Sequence, residues 1–155
     1  MLEMLTTLLE IDGIAFGALE SEQLTWGSPW LSDETWLQQL RVVLKLQRAA
    51  GREMFLIAAT TETTAELTAV VEAIAVNQVT SVLLTAPPHV VAARIEARES
   101  DAWPGKHRLI EHAQELAVSM QTLTGIDIRI DTDGRRPVDV AVELRDTLRA
   151  RGLPL

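Results

Sequence analysis

The segment MFLIAA, residues 54–59, is a continuous apolar run between a helix stop at Gly51 and a cluster of threonines. A run without apolar–polar alternation is typical of a strand buried on both faces, as in parallel sheets. The segment SVLLTA, residues 81–86, repeats this pattern. The intervening TTETTAELTAVVEAIAV has the spacing of a threonine-capped amphipathic helix. This succession of strand, helix and strand predicts a parallel sheet.

The alternation of helices and strands continues in both directions from this unit. IAFGAL, residues 14–19, predicts an earlier strand, and IDIRI, residues 126–130, predicts the last one. A helix is predicted between the N-cap Ser32 and the stop Gly51. Further helices are predicted in MLEMLTTLLEID, in VVAARIEARE after a proline pair, in KHRLIEHAQELAVSMQTL and in VDVAVELRDTLRARG. The order α-β-α-β-α-β-α-α-β-α predicts an α/β fold class, a three-layer α/β/α arrangement with a mainly parallel sheet, in one domain over residues 1–155.

Composition excludes several classes of protein. The 155 residues include no cysteine, so disulfides and thiolate metal sites are ruled out. The formal net charge of -8 disfavours a nucleic-acid binder, which needs a basic face. No segment resembles a secretory signal, and no apolar run is long enough to cross a bilayer, so we expect no membrane association and a cytoplasmic location.

Polar residues follow each predicted strand, and ligands of parallel sheets bind at the carboxyl ends of the strands. These strand ends read Glu20-Ser21-Glu22, Thr60-Thr61-Glu62, Thr85-Ala86-Pro87 and Asp131-Thr132-Asp133. The first acidic group is the leading candidate for a functional role. Because loops are polar for solvation alone, a purely solvated surface remains the alternative at every one of these ends.

The helix after SVLLTAPP carries two arginines, Arg94 and Arg98, one turn apart on one face. They could clamp phosphate oxygens, and the alternative is a solvated helix face with Glu–Arg pairs. The histidines suggest no metal site, because His107 and His112 are five residues apart and a zinc helix spaces its ligands four apart.

Three segments, taken in order, resemble the P-loop phosphotransferases, in particular the nucleoside-kinase-like branch with the shikimate, gluconate and adenylylsulfate kinases. SVLLTAPPHVVAARIEARE is similar to the fourth strand and the helix leading into the lid, and DAWPGKHRLIEHAQELA to the lid exit. IDIRIDTDGRRPVDVAVELRDTL is similar to the last strand, the loop near the adenine and the terminal helix. IAFGALESEQL resembles the second strand with its acidic substrate-side pair.

The resemblance implies ATP and Mg²⁺ as cofactors and assigns residues to three parts of a site. These are the acidic pair Glu20 and Glu22 beside the acceptor hydroxyl, the lid arginines Arg94 and Arg98, and the nucleotide-side loop Asp133, Gly134 and Arg135. The acidic pair would orient or deprotonate the acceptor hydroxyl, and the arginines would stabilise phosphoryl charge.

The sequence departs from the family at its start. MLEMLTTLLE resembles the helix that follows the phosphate loop, but no G-x-x-x-x-G-K-[ST] motif occurs, and Gly105-Lys106 is followed by histidine. In the family's strand order, 2-3-1-4-5, the missing strand is the central one, so two strands are expected to lack inner partners. A truncated or mis-started kinase, an omitted N-terminal stretch and a genuine pseudo-kinase are the three explanations.

These observations predict an ATP-dependent small-molecule phosphotransferase-like protein with weak or no activity in this form. Whether it is an enzyme and which phosphate acceptor it uses are left open. The alternative is a non-catalytic α/β interaction module, a pseudo-kinase that self-associates as a homo-oligomer. In that case Trp26, Trp30 and Trp36 would be contact residues.

Overall fold

The computed structural model describes residues 1–76 and 78–155, and its internal contacts divide the chain into two compact units. The first unit comprises Met1–Thr61, Ala65–Val79 and Arg136–Leu155, and the second comprises Glu62–Thr64 and Thr80–Arg135. The prediction of one domain over residues 1–155 is not decided by this division and stays a prediction.

Helices and short strands alternate along the described chain. In order they are α1 (Leu2–Ile11), β1 (Gly17–Glu20), α2 (Ser21–Thr25), α3 (Asp33–Ala49), β2 (Phe55–Ala58), α4 (Thr64–Ile74), β3 (Val82–Thr85), α5 (Pro88–Arg98), α6 (Lys106–Ser119), a 3₁₀ turn (Met120–Thr122), β4 (Ile128–Asp131) and α7 (Pro137–Ala150). This order contains the predicted one. It adds α2 and the 3₁₀ turn, which the sequence pattern did not indicate.

Local signals set several of these boundaries. The Ser32 side chain accepts a hydrogen bond from the backbone N–H of Thr35 and so caps α3. Gly13 and Gly51 adopt positive φ angles of 72° and 87° directly after α1 and α3, where a side chain would be strained. Pro88 begins α5, because its missing N–H is not needed at a first helical position.

The strands form two parallel pairs. In the first unit β1 pairs with β2, from Gly17 opposite Phe55 to Glu20 opposite Ala58. In the second unit β3 pairs with β4 with Val82 opposite Ile128. Within the described residues, β2 and β3 each have one hydrogen-bonded strand neighbour.

A buried cluster of the first unit lies between α3 and α4. Leu40 and Leu44 of α3 are almost fully buried there with Val70 and Ile74 of α4. The α1–α7 packing is reinforced by Asp12, which accepts hydrogen bonds from Arg145 at 3.3 Å and from Arg149 at 2.7 Å.

Residues 54–59 contain the predicted strand, but the prediction that this strand is buried on both faces is wrong. No residue of β2 is fully buried, and Ala58 is exposed. Within the described residues β2 has a single strand neighbour, so side chains that a wider sheet would cover stay partly accessible.

In the described parts of the chain, none of the helices has the length and apolar character needed to span a bilayer.

Candidate functional site

The carboxyl ends of β1 and β2 form a small cavity in the first unit. The two ends are connected because the backbone N–H of Thr60 donates to Oγ of Ser21 at 3.4 Å. The cavity has a volume of about 220 Å³. Its lining residues are Glu20, Ser21, Glu22, Ala58, Ala59 and Thr60. The structure thus brings both predicted acidic residues to one cavity, which two small alanines also line.

The electrostatic character of this cavity is negative. Glu20 ends β1, Glu22 lies in the first turn of α2, and both are exposed. None of the described residues that line the cavity is basic. Arg48 is at the other end of the strand pair, with its guanidinium 5.3 Å from the ring centroid of Phe55. The cavity can therefore accept hydrogen bonds from hydroxyl or ammonium groups, but it offers no side-chain cation to a phosphate.

The carboxyl ends of β3 and β4 are arranged differently in the second unit. Arg94 of α5 donates through Nη1 to Oγ1 of Thr132 at 2.8 Å and through Nη2 to the Thr132 carbonyl at 2.6 Å. The Thr132 hydroxyl in turn donates to the Thr85 carbonyl at 2.9 Å. Among residues 1–76 and 78–155, Thr132 is one of two buried polar residues. Two of the N–H donors of Arg94 are therefore occupied by hydrogen bonds within the protein.

The nucleotide-side loop predicted from the sequence is a tight turn after β4. The backbone N–H of Asp133 donates to a side-chain oxygen of Asp131 at 3.0 Å, and Arg135 donates to the Asp131 carbonyl at 3.1 Å. Gly134 has a φ of 62°, which favours glycine at this position. Asp133, Gly134 and Arg135 thus lie together in the second unit, close in sequence to the Thr132 anchor of Arg94.

Arg98 does not share the environment of Arg94. Its side chain is 68% exposed and its Nε donates to the neighbouring Glu99 at 2.6 Å. Such an exposed pair contributes little to stability and leaves most of the guanidinium accessible. The two predicted lid arginines therefore lie on one helix but have different partners.

A wider, open trough of about 580 Å³ runs along α6 in the second unit. It is lined by Trp103, Gly105, Arg108, Leu109, Glu111, His112 and Glu115. The histidines here are paired with acids: Nε2 of His112 lies 2.8 Å from Glu62 and Nε2 of His107 lies 3.1 Å from Glu111. We favour the smaller cavity as the site, since groups from two adjacent strands converge there.

The sequence identified Glu20, Glu22 and the strand ends, but it did not identify how Arg94 is used. Arg94 and Thr132 are 38 positions apart. In the sequence, the only local signal for this contact is a threonine after a predicted strand, and threonine is common at such positions. Ser21 and Thr60 were within the predicted strand ends, although their mutual hydrogen bond had no sequence signature.

The residues described here do not supply a complete site for ATP with Mg²⁺. No phosphate-loop motif supplies backbone amides and a lysine, and Arg94 is engaged by Thr132. Within residues 1–76 and 78–155, no group of three or more histidine or acidic side chains could hold a metal ion. We therefore derive no phosphoryl-transfer step.

Comparison with known proteins supports the fold assignment. No protein-family model matches the sequence, and no curated protein matches it. Among solved structures, the tunicamycin resistance protein of Deinococcus radiodurans is similar over 99% of this chain and 92% of its own, with a TM-score of 0.60 and 18% sequence identity. That neighbour has a kinase-like fold of the P-loop type. At this identity the likeness shows the fold alone, and it confirms the predicted α/β, kinase-like fold class.

Proposed function

We propose that this chain belongs to a lineage of small-molecule phosphotransferases and that it holds an acceptor hydroxyl at the cavity beside Glu20 and Glu22. The observation that carries the proposal is the position of both carboxylates at the carboxyl ends of a parallel strand pair in a kinase-like fold. Ligands of open parallel sheets bind at such ends.

The chemistry of the cavity fits a hydroxyl-bearing acceptor. A carboxylate accepts a hydrogen bond from a hydroxyl, and it can take up the proton when that hydroxyl becomes a nucleophile. Glu20 and Glu22 come from the end of β1 and the start of α2, so the backbone holds them in fixed relation. Ser21 and Thr60 link the two strand ends and support that geometry.

The same proposal predicts weak or no activity for the chain in this form. The printed sequence has no phosphate-loop motif, and that loop normally holds the β- and γ-phosphates and the magnesium ion. Arg98 and the Asp133–Arg135 turn are the parts of a nucleotide side that the sequence does supply, and we expect them to bind ATP weakly.

Nuclear magnetic resonance can test the acceptor side. Backbone amide shifts would be recorded while a panel of hydroxyl-bearing small molecules is added, with tunicamycin included because the structural neighbour is named for resistance to it. We expect shifts confined to Glu20–Glu22 and Ala58–Thr60 for at least one compound. The Glu20→Gln/Glu22→Gln variant should lose them.

A matched control keeps this test specific. The Glu3→Gln/Glu10→Gln variant removes the same charge from exposed positions on α1 and should bind like the unchanged chain. Shifts that vanish equally in both variants, or that map away from the cavity, would contradict an acceptor site here.

The alternative, a non-catalytic interaction module, has one observation in its favour. Trp26 is 87% exposed and Trp30 is 76% exposed, which is unusual for tryptophan unless a ligand or partner covers it. Trp36, by contrast, is partly buried against the α3–α4 cluster. An interaction module predicts no acceptor shifts at the cavity, so the experiment above separates the two functions.

A further inference from the structure

The solvent-facing side of α3 is a second distinctive surface of the first unit. Opposite the buried Leu40 and Leu44 lies a row of uncharged residues at alternating spacings of four and three. The row, called the α3 stripe below, consists of Thr35, Gln39, Val42, Leu46 and Ala49. Val42 is 52% exposed and Leu46 is 64% exposed. This spacing is that of a coiled-coil seam, which packs against another helix.

The charges beside the α3 stripe are segregated along the helix. Glu34 lies beside the stripe in the first turn, whereas Arg41 and Lys45 lie in the second half. Asp33, also in the first turn, precedes Leu40 by seven positions and so lies on the opposite side of the helix from the stripe. Within the described residues, none of these four side chains forms an ion pair. Arg48, also in the second half, is instead committed to the carbonyl of Ile74 at 2.7 Å. One end of the helix surface is thus acidic and the other basic, and both are available to a partner.

A second copy of α3 running antiparallel complements this surface. Leu46 would then face Thr35 of the second copy and Val42 would face Gln39, with each contact occurring twice about the two-fold axis. In the same arrangement Glu34 lies beside Lys45 of the second copy. A parallel arrangement would instead put acid beside acid and base beside base, which is unfavourable.

An exposed tryptophan lies close in sequence to the start of the α3 stripe. Trp30 precedes the start of α3 by three positions and is 76% exposed. In the antiparallel arrangement it would reach the C-terminal end of the partner helix, where Ala49 and Ala50 leave room. A helix of 17 residues is about 25 Å long, so the helices alone bury less than a stable interface needs. The tryptophans add contact area of the kind that dominates interfaces.

We propose that the chain forms a weak, two-fold symmetric homodimer through antiparallel contact of the α3 stripe, with Trp30 at each end. This inference does not depend on the proposed phosphotransferase lineage. Sedimentation velocity over a concentration series from micromolar to millimolar should show a monomer–dimer equilibrium. Leu46→Glu should weaken the dimer at least about tenfold, because it buries a charge at the seam.

Val118→Glu is the matched control for this substitution. Val118 is an exposed apolar residue on α6, outside the proposed interface, and its replacement should leave the dimerisation constant unchanged. A monomer at every concentration overturns the proposal. So does a dimer that tolerates Leu46→Glu or that is weakened equally by Val118→Glu.

A charge exchange tests the antiparallel orientation. The Asp33→Lys/Glu34→Lys variant and the Arg41→Glu/Lys45→Glu variant should each dimerise less than the unchanged chain, since each places like charges together. Mixed in equal amounts, they should form a heterodimer, because every charge then meets its opposite. Circular dichroism checks that both variants are folded. A parallel dimer of the unchanged chain already places like charges together, so single variants that dimerise as well as the unchanged chain overturn the antiparallel arrangement. Folded variants that fail to pair when mixed overturn the charge contact itself.

Discussion

The carboxyl ends of the two strand pairs contain similar polar residues but use them in opposite ways. At the β1–β2 end, Glu20 and Glu22 are exposed around a cavity. At the β3–β4 end, Arg94, Thr132 and Thr85 satisfy one another through hydrogen bonds of 2.6 to 2.9 Å. At the carboxyl ends of the strands, the polar groups of the first unit are therefore accessible, whereas those of the second unit are hydrogen-bonded to one another.

This difference separates residues that hold the fold from residues that can meet a ligand. Removing a partner from a satisfied buried network costs stability, because the remaining group is left without a hydrogen bond. Removing an exposed carboxylate costs almost none. Stability measurements on matched variants at the two ends should therefore diverge.

The largest effect is expected for Arg94→Met. The variant leaves the carbonyl and hydroxyl of Thr132 without their charged donor, so we expect the free energy of unfolding to fall by about 2 kcal/mol. Arg98→Met, on the same helix but exposed, should change it by less than about 0.5 kcal/mol. Urea denaturation of both variants measures the difference. Equal losses would mean that the Thr132 contact does not stabilise the second unit.

A smaller loss is expected for Thr132→Val. The substitution removes the hydroxyl that donates to the Thr85 carbonyl and accepts from Arg94, which should cost about 1 to 2 kcal/mol. Thr60→Val makes the same chemical change at the exposed β1–β2 end and should cost less than about 0.5 kcal/mol. Thermal unfolding of both variants measures the two losses of stability. Equal losses would show that the Thr132 hydroxyl contributes no more to stability than the exposed Thr60 hydroxyl.

The acidic pair should be nearly neutral for stability. Glu20→Gln/Glu22→Gln removes two exposed, neighbouring negative charges, so we expect a change within about 0.5 kcal/mol in either direction. Urea denaturation beside the unchanged chain checks this. A loss of several kcal/mol would show that the carboxylates are structural and would remove the reason for treating them as ligand groups.

The smallest effect concerns Asp101 in the second unit. A hydrogen bond from Lys106, together with its charge, holds the pKa of Asp101 below its ordinary value. A carboxyl with a lowered pKa stabilises the fold above its unfolded pKa, and this contribution is lost as the pH falls through the folded pKa. In an NMR titration below about pH 5, Asp101 should become protonated at a lower pH than an ordinary aspartate. Lys106→Met should return the pKa to its ordinary range, and an unchanged titration would contradict the pairing.

Much of the fold follows from local sequence signals. Ser32, Gly51 and Pro88 mark helix boundaries by chemistry that acts within a few residues, and the structure has them at those boundaries. The kinase-like order of elements could be predicted for the same reason. The five-residue helix α2 could not, because Glu20-Ser21-Glu22 is equally typical of a loop.

The candidate site was only partly predictable. Glu20 and Glu22 could be located from their place after a strand, since strand ends collect ligands. The engagement of Arg94 could not, because it depends on a contact across 38 positions that no periodicity encodes. The incomplete burial of β2 was also missed, since an apolar run does not reveal how many neighbours its strand will have.

The central claim is that this chain has a kinase-like fold whose described residues do not supply a complete phosphate-binding site. Isothermal titration of the chain with Mg-ATP tests it most directly. We predict no heat attributable to binding in the micromolar range, because these 155 residues contain no phosphate-loop motif and Arg94 is held by Thr132. A micromolar dissociation constant that Arg98→Met weakens would contradict the account.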